Sequence, residues 1–153
     1  MDIEQAHLND INAIFTVDAE ISKDMLERKI RDGEILITKE EGKIIALLRY
    51  SFFWDSIPFL NLIKVESKNR GKGFGSALLM QWEESMKEGG HELLMLSTQS
   101  DEDGQYFFKR LGYRKTGSFE FPGQEDEIIL SKTLKQNMPN EAHQTTSSSP
   151  RRV

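Results

Sequence analysis

Residues 65–86 read VESKNRGKGFGSALLMQWEESM: the end of an apolar strand, a glycine-rich turn, then an amphipathic helix. Gly71, Gly73 and Gly75 stand at alternate positions, with Arg70 and Lys72 among them, just before the helical pattern starts. Glycine permits a positive φ and lets a ligand approach the backbone without meeting a Cβ. Free N–H groups at a helix N-terminus, beside two cations, make a site for an anion such as pyrophosphate. Phe74, Leu78, Trp82 and Met86 recur every four residues with Leu79 beside them, while Gln81, Glu83, Glu84 and Lys87 take the other face. Gly89-Gly90 end the helix. Two common phosphate motifs do not fit. Gly71-Lys72 is followed by Gly73 where an ATPase loop needs Ser or Thr, and the third glycine of G-x-G-x-x-G would fall on Ser76. A glycine-rich turn with no ligand is the plainer alternative.

The chain has 153 residues, enough for one domain with a proper core. Hydrophobic residues make up 37% and charged residues 29%, ordinary for a soluble globular protein. The absence of cysteine excludes disulfides, thiolate metal sites and a cysteine acyl-enzyme, and suits a reducing, cytoplasmic setting. No signal-peptide pattern opens the chain, and no apolar run approaches the roughly 20 residues needed to span a bilayer. Residues 1–134 hold 17 basic and 24 acidic residues, a net −7 against −5 for the whole chain. That argues against a nucleic-acid binder and is compatible with a cationic or amine-bearing substrate, though acidic residues kept for solubility explain it as well.

Outward from the glycine-rich turn, the patterns predict a short strand over Asp2–Ala6, then helices over Leu8–Val17 and Ser22–Arg31, with Ser22 as N-cap. Glu34–Lys39 and Lys43–Phe53 read as a hairpin, and Ser56–Pro58 as a turn into a central strand, Phe59–Glu66. Past the helix come a strand over Glu92–Thr98 and a helix opened by Asp101-Glu102-Asp103 and closed by Gly112. Tyr113–Phe121 and Glu127–Thr133 form a last hairpin. Residues 135–153 carry too little apolar content to fold and read as a disordered tail, leaving one domain over 1–134.

The predicted order is β-α-α-β-β-β-α-β-α-β-β, an α/β (α+β) chain. Arg70, Gly73 and Gly75 fit [RQ]-x-x-G-x-[GA], and Phe107-Phe108 precede Gly112-Tyr113. These two motifs, in this order, resemble the acetyl-CoA-dependent GNAT superfamily of N-acetyltransferases over residues 2–134. The resemblance implies a mixed central sheet whose parallel central strands, ending at Glu66 and Thr98, splay to admit pantetheine. Backbone groups of Ile63, Lys64 and Val65 would bond its amides. Gly71, Lys72, Gly73, Phe74, Gly75 and Ser76, with Arg70, would hold the pyrophosphate. Gln99, Ser100 and Asp101 would touch the pantetheine arm, and Phe108 would lie beside the cofactor.

The resemblance also implies an acceptor side that includes Tyr50, Phe53 and Trp54, although alternation along a strand turns about half of such aromatics into the core. The acceptor would be a small-molecule or peptide amine, acetylated directly in a ternary complex. The catalytic set departs from the pattern. Phe108 stands where many members carry a tyrosine that protonates the leaving thiolate, and Tyr106 lies on nearly the opposite helix face. No Asp or Glu occurs from Pro58 to Val65, which leaves Asp55 as the candidate general base, with a solvated turn aspartate as its plainer reading. His7, His91 and His143 are scattered, and no metal site is visible. The alternative function is a catalytically silent acyl-CoA-binding or interaction module. Oligomeric state, a homodimer included, stays open.

Overall fold

A computed structural model describes residues 1–100 and 103–135. The expected tail therefore falls, from residue 136 on, outside the described residues, as do Asp101 and Glu102. The described elements follow the predicted order, seven strands and four α-helices. Contacts divide the described residues into two compact units, one of residues 1–51 with 60–85, the other of 52–59 with 86–100 and 103–135.

The first unit starts with β1 (Ile3–Gln5) and a 3-10 turn, Leu8–Asp10, where the sequence pattern predicted the first turn of an α-helix. Asp10 explains the difference. Its Oδ2 accepts the backbone N–H of His7 at 2.9 Å, which tightens the turn before α1 (Ile11–Val17). Helix α2 (Lys23–Arg31) is capped as predicted, with Ser22 Oγ accepting the Met25 N–H at 3.2 Å. Strands β2 (Ile35–Glu40) and β3 (Lys43–Phe53) pair antiparallel across a turn at Glu41 (φ 50°) and Gly42 (φ 76°). Strand β1 pairs antiparallel with β2 on its other side, and β4 (Ile57–Val65) follows β3 in the strand order. Ile14, Leu26 and Ile30 of the first two helices pack on Ile35, Ile37 and Leu47.

Helix α3 (Phe74–Glu88) sends Phe74, Leu78, Leu79 and Trp82 into the interior, the stripe predicted from its four-residue repeat. The Trp82 and Tyr50 rings meet at 5.7 Å. Leu47 and Arg49 thus look toward α1 and α2, whereas Tyr50 looks toward α3, as alternation along β3 requires.

The second unit holds β5 (Leu93–Gln99), α4 (Gly104–Arg110), β6 (Arg114–Phe119) and β7 (Glu127–Thr133). Strand β7 lies between β5 and β6 and is antiparallel to both. Leu94, Leu96, Phe108, Tyr113, Ile128 and Leu130 are buried. This unit also takes in the β3–β4 hairpin tip, where the expected turn at Ser56–Pro58 falls two residues too late. The turn is Trp54-Asp55, closed by Ser56 N–H donating to Phe53 O at 3.2 Å, and Ile57 and Pro58 already belong to β4.

Candidate active site

Between β4 and α3 the backbone makes a 3-10 turn, Ser67–Asn69, and then the glycine-rich turn. Asn69, which the sequence reading passed over, organises this stretch. It is buried, its Nδ2 donates to Glu66 Oε2 at 2.9 Å, and its Oδ1 accepts Lys72 Nζ at 3.3 Å. The Asn69 N–H also donates to Glu66 O at 2.8 Å. The only sequence signal for this role is the spacing of Glu66, Asn69 and Lys72, three residues apart. Arg70 Nε donates to Val65 O at 3.2 Å, tying the turn back to the end of β4.

Gly71 and Gly73 have φ of 75° and 91°, values that L side chains rarely adopt, so both positions need glycine for conformation. Beyond the adjoining residues of the chain, no heavy atom lies within 4 Å of the point where a Cβ would sit on either, so both face open space rather than packed protein. The first helical bond of α3 runs from Ala77 N–H to Gly73 O at 3.0 Å. The N–H groups of Phe74, Gly75 and Ser76 therefore precede the helical ladder and have no carbonyl within it. Buried Phe74 anchors the helix start. Three free amides, the positive end of a 15-residue helix and two glycines opening onto space form an anion cradle.

Upstream, Ile63 and Val65 are half-buried and Lys64 turns to the other face of β4, where its Nζ donates to Val17 O at 2.9 Å. The α1–α2 connection is held on that same side by Arg49, whose Nε donates to Asp18 Oδ2 at 2.7 Å. Tyr50 proves to be a core residue. It is 8% exposed, its hydroxyl donates to Gly33 O at 3.4 Å, and burial together with the nearby Glu34 charge raises its pKa above the ordinary tyrosine value.

In the second unit, Phe53 stacks on Phe59 with centroids 5.9 Å apart and meets Trp54 at 4.7 Å. Trp54 is 44% exposed and Asp55 is also exposed at the turn. Gln99 ends β5, half-buried. Ser100 donates its N–H to Asp126 O at 2.9 Å and its hydroxyl to Glu125 Oε2 at 3.1 Å, and its carbonyl accepts Gln105 Nε2 at 2.9 Å. Phe108 is 8% exposed and sits edge-on to Phe107 and Tyr113, at 5.0 and 5.7 Å. Tyr106, by contrast, is 56% exposed, with Lys109 Nζ 5.9 Å from its ring centre. Among the described residues no three His, Cys, Asp or Glu side chains gather as a metal site, and no helix is long and apolar enough to cross a membrane.

The element order and the anion cradle define an acyltransferase-like chain. The profile of the Acetyltransferase (GNAT) family matches residues 5–113, and the chain belongs to that family. An acetyltransferase of the GNAT family from Bacillus cereus is 25% identical, with a TM-score of 0.72 over 88% of this chain and 98% of its own. The ribosomal-protein-S18-alanine N-acetyltransferase from Escherichia coli is 18% identical, with a TM-score of 0.75 over 93% and 99%. N-acetylglutamate synthase from Neisseria gonorrhoeae, complexed with coenzyme A and N-acetyl-glutamate, is 21% identical, with a TM-score of 0.75 over 88% of this chain and 35% of its own. No curated protein matches the sequence. Acetyl transfer is the activity of the family.

Proposed function

We propose that the protein transfers an acetyl group from acetyl-CoA to a primary amine, on a small molecule or a peptide, by direct attack in a ternary complex. The observation that carries the reading is the cradle: Gly71 and Gly73 at positive φ with open space at their Cβ positions, running into the unbonded N–H groups of Phe74, Gly75 and Ser76. Those amides would hold the pyrophosphate, and the β4 backbone over Ile63–Val65 would take the pantetheine amides. Gln99, Ser100 and Asp101 are proposed pantetheine contacts, and Phe53 and Trp54 proposed acceptor contacts. A relative that acts on a ribosomal protein's alanine, and one bound to N-acetyl-glutamate, support an amino group as acceptor.

In this reaction the amine lone pair attacks the thioester carbonyl carbon, the C–S bond breaks, and the nitrogen gives up one proton. Positioning alone contributes on the order of 7 kcal/mol or more to such a step. An N–H of the β4 backbone would polarise the carbonyl. With Phe108 in place of a tyrosine, the departing thiolate, with a pKa of roughly 8.5, takes its proton from water. Asp55, exposed beside Phe53 and Trp54, is the proposed proton acceptor.

Phe108 also favours a second reading, in which the protein binds acyl-CoA without turnover. The two separate when acetyl-CoA is incubated with a panel of amines and peptides while free CoA thiol is measured. Acceptor-dependent thiol release, with the acetylated amine found by mass, supports transfer. Saturable acetyl-CoA binding with no release across the panel supports the silent module instead.

A further inference from the structure

On the face of β4 turned toward α1 lies a cleft of about 500 Å³, within the size range of small-molecule sites. Ala13 and Val17, one turn apart on α1, and Ile45 on β3 give it an apolar floor. Lys43, Lys64 and Arg70 stand around it. Two of these cations are fixed, Lys64 by its bond to Val17 O (2.9 Å) and Arg70 by its Nε bond to Val65 O (3.2 Å), which leaves the rest of the guanidinium available. Lys43 begins β3 directly after the tight Glu41-Gly42 turn and makes no ion pair with a described residue.

Among the described residues, the only carboxylate in the wall is that of Glu66. It is already engaged, by Asn69 Nδ2 at 2.9 Å and by Lys68 Nζ at 3.8 Å. Three cations thus face one compensated anion over an apolar floor, an excess of positive charge in the lining of the cleft. We propose that the cleft is a second anion site, separate from the amides of the glycine-rich turn, for a small organic anion with a short apolar body. Arg70 lines the cleft and also begins that turn, so an occupant draws on a side chain that the cofactor site shares. This coupling rests on the acetyl-CoA reading, but the cleft itself does not.

Phenyl phosphate is a suitable probe, titrated into the full chain while methyl and amide resonances are followed. Saturable shifts at the Ala13, Val17 and Ile45 methyls are expected, with tighter binding than inorganic phosphate. Lys43→Glu should weaken binding about tenfold or more by reversing a charge at the site, and Lys43→Arg should leave it within about threefold. Lys43→Ser gives the same reading if the charge reversal does not fold. No saturation up to about 10 mM, shifts confined to the amides of residues 71–76, or equal affinity in Lys43→Glu would overturn the proposal. The methyl signals report on the cleft whether or not acetyl-CoA binds, so its failure is distinct from failure of the transferase reading.

Discussion

Arg49 Nε and Asp18 Oδ2 lie 2.7 Å apart, and neither side chain is more than 10% exposed. The pair crosses from β3 to the first residue after α1, so it pins the α1–α2 connection to the sheet. Losing one member leaves the other charged and buried, which typically costs about 3–5 kcal/mol. Asp18→Ala should lower unfolding stability by that amount in urea titrations. Asp18→Leu with Arg49→Met, which removes both charges, should recover most of it. A double variant no more stable than Asp18→Ala would contradict the buried-pair account.

A second ion pair makes stability depend on pH. Burial of the Asp10 carboxyl would raise its pKa. The Lys39 hydrogen bond, the His7 N–H and the charges of Lys39 and His7 outweigh burial and hold it below 3.8. Its contribution is therefore complete above pH 3.8 and lost as pH falls through the lower folded value. For Lys39, the hydrogen bond to Asp10 lifts the pKa above 10.5 against a smaller desolvation effect, so its contribution fades only as pH rises through that raised value. Asp10→Asn should flatten the acid limb of stability against pH; an unchanged limb would place the sensitivity in other carboxylates.

The β3–β4 turn carries two non-glycine residues at positive φ, Trp54 at 53° and Asp55 at 60°. Each costs of order 1 kcal/mol or more where Asn-Gly would relax the turn. Trp54→Asn with Asp55→Gly should raise the melting temperature and slow acetyl transfer if these side chains serve the acceptor. Asp55→Asn alone separates charge from conformation, since the proposed base should lose activity without gaining stability. Full activity in Asp55→Asn would remove it from the mechanism.

How far the sequence is legible varies along the chain. The four-residue stripe of α3 and the alternate glycines identify the helix and the positive-φ turn before it directly, because period and positive φ are written in residue types. Asn69 is not legible, since its role depends on Glu66 and Lys72 converging on its amide. The Trp54-Asp55 turn is missed for the opposite reason: Trp54 is not a turn former, and Asp55 reads with Ser56 and Pro58 as the start of a later turn. Tyr50 was open to either strand face from sequence, and the Trp82 ring places it inside.

The buried phenyl ring of Phe108 bears on the pH profile of acetyl transfer. With no tyrosine acid, kcat/KM should rise as the acceptor amine loses its proton and then level off, without an alkaline fall. Phe108→Tyr should raise turnover if its hydroxyl reaches the leaving sulfur, and Tyr106→Phe should change nothing. A wild-type profile that falls near about pH 10, where tyrosine titrates, and loses that fall in Tyr106→Phe would make Tyr106 the acid.

The cradle at Gly71–Ser76 is tested most directly by calorimetric titration of acetyl-CoA into the wild type, Gly73→Ala and Gly73→Asp. Both variants place a Cβ at φ 91° and share its strain, so they differ only in the carboxylate. One saturable site is expected in the wild type, and affinity in Gly73→Asp should be at least about tenfold below that of Gly73→Ala, because the new charge faces the pyrophosphate. No binding to the wild type, or equal affinity in the two variants, would contradict the assignment of the cofactor to this turn.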